Sequence, residues 1–360
     1  MNPGRHAAKT TTADANGLTR SQSIGRLGVA AALVGFVSIT AAQAPPDYGL
    51  DFVTVGAAGN RGTLPSERPF AQSPDVPVGS VDREFRITRT EVTTGQWAEF
   101  CNAYRPYWTG AVLDHAFAGE LTITNDGTYV TSNPNFPNAA SWAMSARYCN
   151  WLHNGKRPEQ WAFETGAYDT STFTFNSDGT ANHQFEHSPS ALFWIPSLDE
   201  MVKAFYYDPD RYGTGQEGYW TYPNQSNTPL IVGVPPPLGI GQTNASQSSN
   251  VDPRFLSVGQ YPDVQTPWGL LDASGGQREY TSTPRGSPRD IFTMGSSHIT
   301  APFAVDLSDN IDGNLWIGSF GDVGTGGFRV ASIVPPPASL SVSIVFGFAL
   351  ANHSHRRRRH

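Results

Sequence analysis

Residues 85–103 read FRITRTEVTTGQWAEFCNA, and this stretch decides the fold class. Residues 85–90 alternate apolar and polar side chains, which predicts a β-strand. Thr93 or Thr94 can then cap a helix over residues 96–103, where apolar side chains recur at spacings of three and four. The stretch therefore predicts a strand followed closely by an amphipathic helix.

Two further helix starts are marked by serine caps. Ser141 precedes an apolar stripe over residues 143–152, and Ser197 precedes another over residues 198–206. Glu200 lies three residues after Ser197, which completes a capping box. We therefore expect three short helices before residue 207.

The rest of the chain carries different patterns. Residues 209–253 are rich in Gly, Pro, Asn, Gln and Ser and predict a long loop, whereas residues 311–333 return to short strand patterns. Early helices and late strands favour an α+β domain over an alternating βαβ sheet. No repeat or linker divides residues 45–333, so we expect this body to be one domain.

Composition excludes several classes of protein. The 360-residue chain contains 36 Gly and 28 Pro without a period, which excludes collagen, and its 12% aromatic content excludes a disordered chain. Only two Cys are present, so a disulfide-dense scaffold and an all-cysteine zinc site are also excluded. The composition is that of a folded, loop-rich body.

Charge is divided between basic ends and an acidic middle. The formal net charge is −7, but residues 45–334 alone carry 16 basic and 30 acidic side chains, a balance of about −14. A body this acidic repels phosphate backbones, which argues against nucleic-acid binding, and it favours cations.

The N-terminus has the pattern of a secretory signal peptide. An uncharged apolar run over residues 27–40 follows two arginines, and Ala-Gln-Ala at 42–44 fits a cleavage site. A membrane anchor is the alternative, but 14 helical residues span only about 21 Å, short of the roughly 30 Å hydrocarbon core. We expect residues 1–44 to direct export.

The C-terminus, residues 334–360, resembles the PEP-CTERM sorting signal of exported bacterial proteins. Three prolines at 335–337 precede an apolar stretch over 338–351, and four arginines at 356–359 follow. Pro336 stands where that signal usually has Glu. The resemblance implies a transient membrane anchor, with its arginines on the cytoplasmic side, that is handled by sorting machinery; a basic tail from an imperfect gene end is the alternative.

Two catalytic motif matches lack their structural context. Residues 183–187 match H-x-x-E-H, but the Gly- and Asn-rich sequence before them and Pro189 after them leave no room for a zinc-binding helix. Residues 213–218 match G-x-G-x-x-G without the strand before and the helix after that a dinucleotide site requires. We expect both segments to be loops.

Five segments, in order, resemble the formylglycine-generating enzyme family, also called the sulfatase-modifying factor domain. They are residues 85–103, 140–152, 193–204, 267–280 and 327–331. Gly295 and Ser296 also fit part of that family's R-G-G-S block. The resemblance implies a compact α+β fold related to C-type lectins, over residues 45–333.

The departures from that family concern its chemistry. Its active members oxidise a substrate cysteine at a copper ion held by two Cys, and the positions of this chain that match those Cys are Ile299 and Ala304. Copper(I) requires soft thiolate ligands, and no Cys follows Cys149. The departures imply that the scaffold is kept and the oxidase is lost, so we assign no catalytic residue.

Two functions from different classes follow. The first is a non-catalytic, lectin-like module of the cell envelope that binds a glycan or a protein. The alternative is an oxidase-like enzyme with an altered metal site. A purely structural surface protein is the third interpretation.

The resemblance also implies a calcium site in the turn that follows Leu271. Asp272 and Glu279 supply hard oxygen ligands there, as calcium prefers. Gly276 and Arg278 depart from the family pattern and weaken such a site. The alternative is a turn held by its glycines and a surface Arg–Glu contact.

The two cysteines, Cys101 and Cys149, fall on the apolar faces of the first two predicted helices. If these helices pack together as the resemblance implies, an oxidising compartment permits a disulfide between them. Two buried free thiols are the alternative.

Overall fold

The structure is a computed structural model. It describes residues 45–69, 76–108, 121–174, 176–177, 182–245, 256–285, 291–300, 305–313 and 326–335. By its contacts the chain divides into two units, 1–41 and 42–360, and all of the first lies outside the described residues. The predicted signal peptide and most of the predicted C-terminal sorting segment therefore also lie outside them.

The described residues form short strands and short helices, and several strands follow one another with no helix between them. The strands are β1 Phe52–Val55, β2 Phe85–Thr88, β3 Thr122–Ile123, β4 Tyr129–Val130, β5 Phe193–Trp194, β6 Tyr207–Asp208, β7 Gly218–Tyr219, β8 Glu279–Pro284, β9 Ile291–Met294 and β10 Ala331–Ile333. The helices are α1 Thr94–Tyr104, α2 Trp142–His153, α3 Trp161–Glu164, α4 Leu198–Tyr206 and α5 Val305–Asp309. This is an α+β, loop-rich architecture, as the sequence predicts.

The main sheet is antiparallel and has the strand order β1-β2-β10-β5. Ile87 of β2 lies opposite Val53 on one side and Ala331 on the other, and Ala331 lies opposite Trp194 of β5. Strand β10, from the end of the described chain, is therefore an inner strand. The remaining strands form the two-stranded pairs β3-β4, β6-β7 and β8-β9.

The core lies where α1 and α2 meet aromatic residues from the rest of the chain. The ring of Trp97 on α1 lies 5.8 Å from that of Tyr148 on α2, and Tyr148 lies 5.6 Å from Phe328. These three side chains are buried together with Phe85 and Ile87 of the main sheet. Burying this apolar area is the main stabilisation of the fold.

The three predicted helix starts are confirmed. Thr93, rather than Thr94, caps α1, and its side chain accepts a hydrogen bond from the backbone N–H of Gln96. Ser141 caps α2, and Ser197 caps α4 in the predicted capping box with Glu200. Among the described residues, no helix is long and apolar enough to cross a bilayer.

Candidate functional site

The turn that leads into β8 is shaped by glycines with positive φ. Gly275 and Gly276 have φ of +86° and +54°, which glycine adopts without strain. A Cβ at Gly276 would overlap a carboxylate oxygen of Glu91, and one at Gly275 would overlap the side chain of Asn244. Gly276 therefore leaves room for the Glu91 carboxylate, which a larger residue at this position would displace.

Arg329 holds the two ends of this turn together from inside the core. Its Nε donates to the Glu279 carboxylate at 2.9 Å, and Nη2 donates to the carbonyls of Leu271 and Asp272 at 2.7 and 3.0 Å. Its Nη1 donates to the carbonyl of Thr88. Arg329 is fully buried, and its charge is matched by Glu279.

The predicted calcium residues are both found in this cluster, with their side chains already engaged. Both oxygens of Glu279 accept from Arg329, and Oδ2 of Asp272 accepts from the backbone N–H of Gly259 at 2.5 Å. In the described part of the chain, no three His, Cys, Asp or Glu side chains are grouped as a metal site requires. Calcium at Asp272 and Glu279 stays a prediction, and a cation there would compete with the Arg329 guanidinium.

An Arg–Glu pair is present at this turn, but it is buried and is not the surface contact that the sequence suggested as the alternative. Arg278 donates to the carbonyl of Gly295 at 3.1 Å and to Ser308 Oγ at 3.3 Å, while Glu279 pairs with Arg329. These contacts tie the turn to β9 and α5.

Glu91 belongs to the same buried cluster. No sequence motif indicates this role, because Glu91 is marked only by its place in the strand–helix stretch. Its Oε1 accepts from the backbone N–H of Gln277 at 3.2 Å, and its buried Oε2 has no hydrogen-bond partner among the described residues. Burial raises the pKa of Glu91 well above its usual value, and the charges of Glu279 and Asp272 add to this effect.

A second polar centre lies between the turn, β9 and α5. Asp309 accepts from Ser274 Oγ at 2.6 Å and from the backbone N–H of Ser296 at 2.8 Å. Ser296 Oγ in turn accepts from the backbone N–H of Gly275 at 3.1 Å. Burial raises the pKa of Asp309 to about 6, although these hydrogen bonds oppose the shift. Ser296, which matches the serine of the R-G-G-S block, therefore makes hydrogen bonds to Gly275 and Asp309 of this chain.

The positions that match the family's copper ligands carry no thiol. Ile299 is 75% exposed, beside β9, and Ala304 lies outside the described residues. Cys101 and Cys149 are buried in α1 and α2 as free thiols, and burial raises the pKa of both. Their disulfide stays a prediction.

The two motif matches are loops, as expected. The ring of His183 packs against aromatic rings and lies 4.8 Å from that of Phe173. The ring of His187 stacks on that of Trp194 at 4.7 Å. The two histidines therefore pack against different aromatic residues, and the segment that carries them is not helical. Residues 213–218 form a turn that ends in β7, with no helix after it.

An open cleft of about 450 Å³ lies at a different place from the turn. It is formed by residues 80–83, by 186–187, by the first turn of α4 and by the end of β8 at 282–284. This volume falls within the range of about 300–1,000 Å³ that small-molecule sites have. No sequence motif marks it, because its walls come from four separated segments.

Comparison with known proteins gives distant structural matches only. No family model and no curated protein matches the chain. The structure of PvdO from Pseudomonas aeruginosa is 17% identical in sequence and matches with a TM-score of 0.45, over 79% of this chain and 94% of PvdO. The crystal structure of CarF is also 17% identical and matches with a TM-score of 0.43, over 80% of this chain and 99% of CarF. Because both TM-scores lie below 0.5, we base no assignment on these structures.

Proposed function

We propose that this chain is an exported, non-catalytic binding module of the cell envelope, with a sulfatase-modifying-factor-like, C-type-lectin-like fold. One observation carries the non-catalytic part of the proposal. The chain has two cysteines, and both are buried in helices α1 and α2, while the position matching the first copper ligand is the exposed Ile299. Copper(I) chemistry of the family type requires two thiolates at one site.

The polar groups around the turn support the same interpretation. Ser274 and Ser296 hydrogen-bond to Asp309 and Gly275, and Glu279 is paired with Arg329. Groups that are buried and bonded in this way stabilise a loop-rich structure. They are not arranged as a nucleophile beside a base.

A mass-spectrometric assay tests the proposal directly. The full chain is incubated with copper(I), oxygen and a cysteine-containing sulfatase peptide, and an active formylglycine-generating enzyme serves as the positive control. We expect the peptide mass to stay unchanged with this chain. Copper-dependent formation of formylglycine would overturn the non-catalytic assignment.

Two further measurements complete this test. A Cys101→Ala, Cys149→Ala variant should bind copper(I) no more weakly than the wild type, because both thiols lie in the core. Retention of the full chain on a glycan array, or capture by one purified envelope protein, is the expected positive result for a binding module.

A further inference from the structure

The chain between β7 and β8 contains a segment with no hydrogen-bonding side chain. Residues 229–241 read PLIVGVPPPLGIG and consist only of Pro, Gly, Leu, Ile and Val. The wider stretch 218–251 contains no charged residue, in a body that is otherwise strongly acidic. The segment therefore differs from its surroundings in both charge and polarity.

The aliphatic side chains of this segment face solvent. Leu238 is 88% exposed and Ile240 is 79% exposed, more than any other large apolar side chain in the described ranges. Ile231 and Val232 are exposed as well, together with prolines at 229, 236 and 237. Apolar surface concentrated in this way is typical of a site that contacts a protein or a membrane.

Backbone hydrogen bonds hold residues 229–243 as a narrow hairpin, here called the apolar hairpin. The N–H of Gly233 donates to the carbonyl of Thr243 at 3.0 Å, and the N–H of Gly241 donates to the carbonyl of Val234 at 2.8 Å. A Cβ at Gly241 would overlap the carbonyl of Gly233, so glycine allows the two legs to approach each other this closely.

The base of the apolar hairpin is fixed to the body. Leu230 is buried, and Tyr261 Oη donates to the carbonyl of Gly233 at 2.8 Å. Thr243 is fully buried, and its hydroxyl oxygen accepts from Ser274 Oγ at 2.8 Å. The tip at 236–240 is therefore presented on a held base.

The chemistry of the tip favours a lipid bilayer over a protein partner. A specific protein–protein interface uses about 20–30 residues on each side, whereas the segment 229–241 exposes seven. Such interfaces also depend on hydrogen bonds and on aromatic or Arg anchors, and no side chain of this segment supplies either. The same count argues against a second copy of the hairpin as the partner.

The backbone of the tip gives an independent argument. Prolines at 235–237 have no N–H, so this edge cannot pair with a β-strand of another protein. An apolar phase, by contrast, penalises every unpaired N–H. The N–H groups of Gly239 and Gly241 donate inward to the carbonyls of Pro235 and Val234, at 3.1 and 2.8 Å. The tip therefore has fewer backbone donors to strip of water than an ordinary loop has.

We propose that the tip of the apolar hairpin inserts into the surface of a lipid bilayer whose headgroups carry no net charge. Leu238 and Ile240 enter the acyl region, where Leu and Ile are favoured and charged side chains are not. Residues 218–251 have no Lys or Arg to attract anionic lipids, and the acidic body repels them. The inference rests on the proposed envelope location for the presence of a bilayer.

A fluorophore at the tip tests the insertion in the full chain. Leu238→Cys supplies a surface thiol for an environment-sensitive dye, because Cys101 and Cys149 are buried. With phosphatidylcholine vesicles, we expect the emission to move to shorter wavelength and to be quenched by lipids that are brominated in their acyl chains. The same dye on Ile123→Cys, a half-exposed site on β3, is the matched control and should not respond, even where the terminal apolar segments hold the chain on the vesicle.

A second substitution in the labelled chain tests the apolar character of the tip. Ile240→Asp places a charge there and should lower the quenched fraction at least about threefold, whereas Ile240→Leu should behave as the labelled parent does. Because position 240 is 79% exposed, neither variant disturbs the core. Equal unfolding midpoints in circular dichroism verify this.

Several results would overturn the bilayer assignment. They are no emission shift with phosphatidylcholine, equal quenching of Ile240→Asp and the labelled parent, a shift that requires phosphatidylserine, and a lipid-free shift that grows with protein concentration, which would indicate self-association. The proposed function fails differently. Tip insertion together with formylglycine formation would keep this inference and remove the non-catalytic assignment, whereas glycan retention without an emission shift would do the reverse.

Discussion

At the residue scale, the side chain of Glu91 packs against the backbone at Gly276. The Glu91 carboxylate occupies the space that a Cβ at position 276 would need, and the positive φ of +54° at this position also favours glycine. Glu91 shares its buried surroundings with Asp272, Glu279 and Arg329, which places three carboxyl groups near one guanidinium. Burial therefore favours the protonated form of at least one of these carboxyls, and the unpartnered oxygen identifies Glu91 as that one.

The raised pKa of Glu91 gives a pH dependence with a definite sign. Below the unfolded-state pKa of about 4.3, the carboxyl is protonated in both states and its contribution to stability is complete. As the pH rises above that value, the unfolded chain ionises and the folded chain does not, so stability falls until the raised folded-state pKa is passed. Each tenfold difference in proton affinity is worth about 1.4 kcal/mol.

Glu91→Gln should remove this contribution. Gln keeps an acceptor for the N–H of Gln277 and carries no proton that titrates. We expect the variant to be more stable than the wild type at pH 7 and to lose less stability between pH 4 and pH 7. Urea unfolding midpoints across that pH range provide the measurement.

The exposed Asp263→Asn is the matched control, and its unfolding midpoints should run parallel to those of the wild type. The buried Asp309, with its pKa raised to about 6, contributes a fall of the same sign that Glu91→Gln leaves in place. Parallel curves for Glu91→Gln and the wild type would show that the Glu91 carboxyl ionises in the folded protein as it does in the unfolded one.

At the element scale, each of the three long helices starts at a hydroxyl side chain. In α1, Thr93 Oγ1 accepts from Gln96 N at 3.4 Å, and Gln96 Oε1 accepts from Thr93 N at 2.9 Å. Thr94 lies inside the helix, and its hydroxyl donates to the carbonyl of Asn133 instead. Adjacent threonines therefore have different roles, one as the cap and one as a link to the next loop.

Thr93→Ala should destabilise the protein by about 1 kcal/mol, because the backbone N–H of Gln96 loses the hydroxyl that accepts its hydrogen bond. Thr93→Ser keeps the hydroxyl and should cost clearly less. Thermal unfolding of both variants followed by circular dichroism measures the difference. Equal losses would mean that the methyl group of Thr93 matters and its hydroxyl does not.

The elements that the sequence predicted are those with local signals. The caps at Ser141 and Ser197 and the strand predicted over 85–90 depend on neighbours within four residues. The structure contains both caps, and it contains the strand over Phe85–Thr88. Helix α5 has no cap signal or long apolar stripe, and the sequence did not indicate it. The sequence also could not predict the cluster of Glu91, Glu279 and Arg329. Its members are up to 238 positions apart, and no local pattern joins them.

At the scale of the whole molecule, the last described residues supply an inner strand of the main sheet and two buried side chains. Strand β10 lies between β2 and β5, and the residues just before it include Phe328 and Arg329, both fully buried. Phe328 packs between the rings of α1 and α2, and Arg329 joins the turn after Leu271 to the carbonyl of Thr88. Loss of this end of the chain should therefore weaken the main sheet, the aromatic core and the turn after Leu271 together.

Two truncations test this arrangement. A chain that ends after residue 335 keeps β10, Phe328 and Arg329, and it should unfold in one cooperative transition. A chain that ends after residue 325 loses an inner strand, leaves Glu279 buried without Arg329 and opens the aromatic core. Loss of one partner from a buried ion pair alone costs about 3–5 kcal/mol, and the net stability of a domain is only about 5–15 kcal/mol. The shorter chain should therefore show no cooperative transition in circular dichroism and should be cleaved rapidly by protease, and equal melting temperatures for the two chains would contradict the inner position of β10.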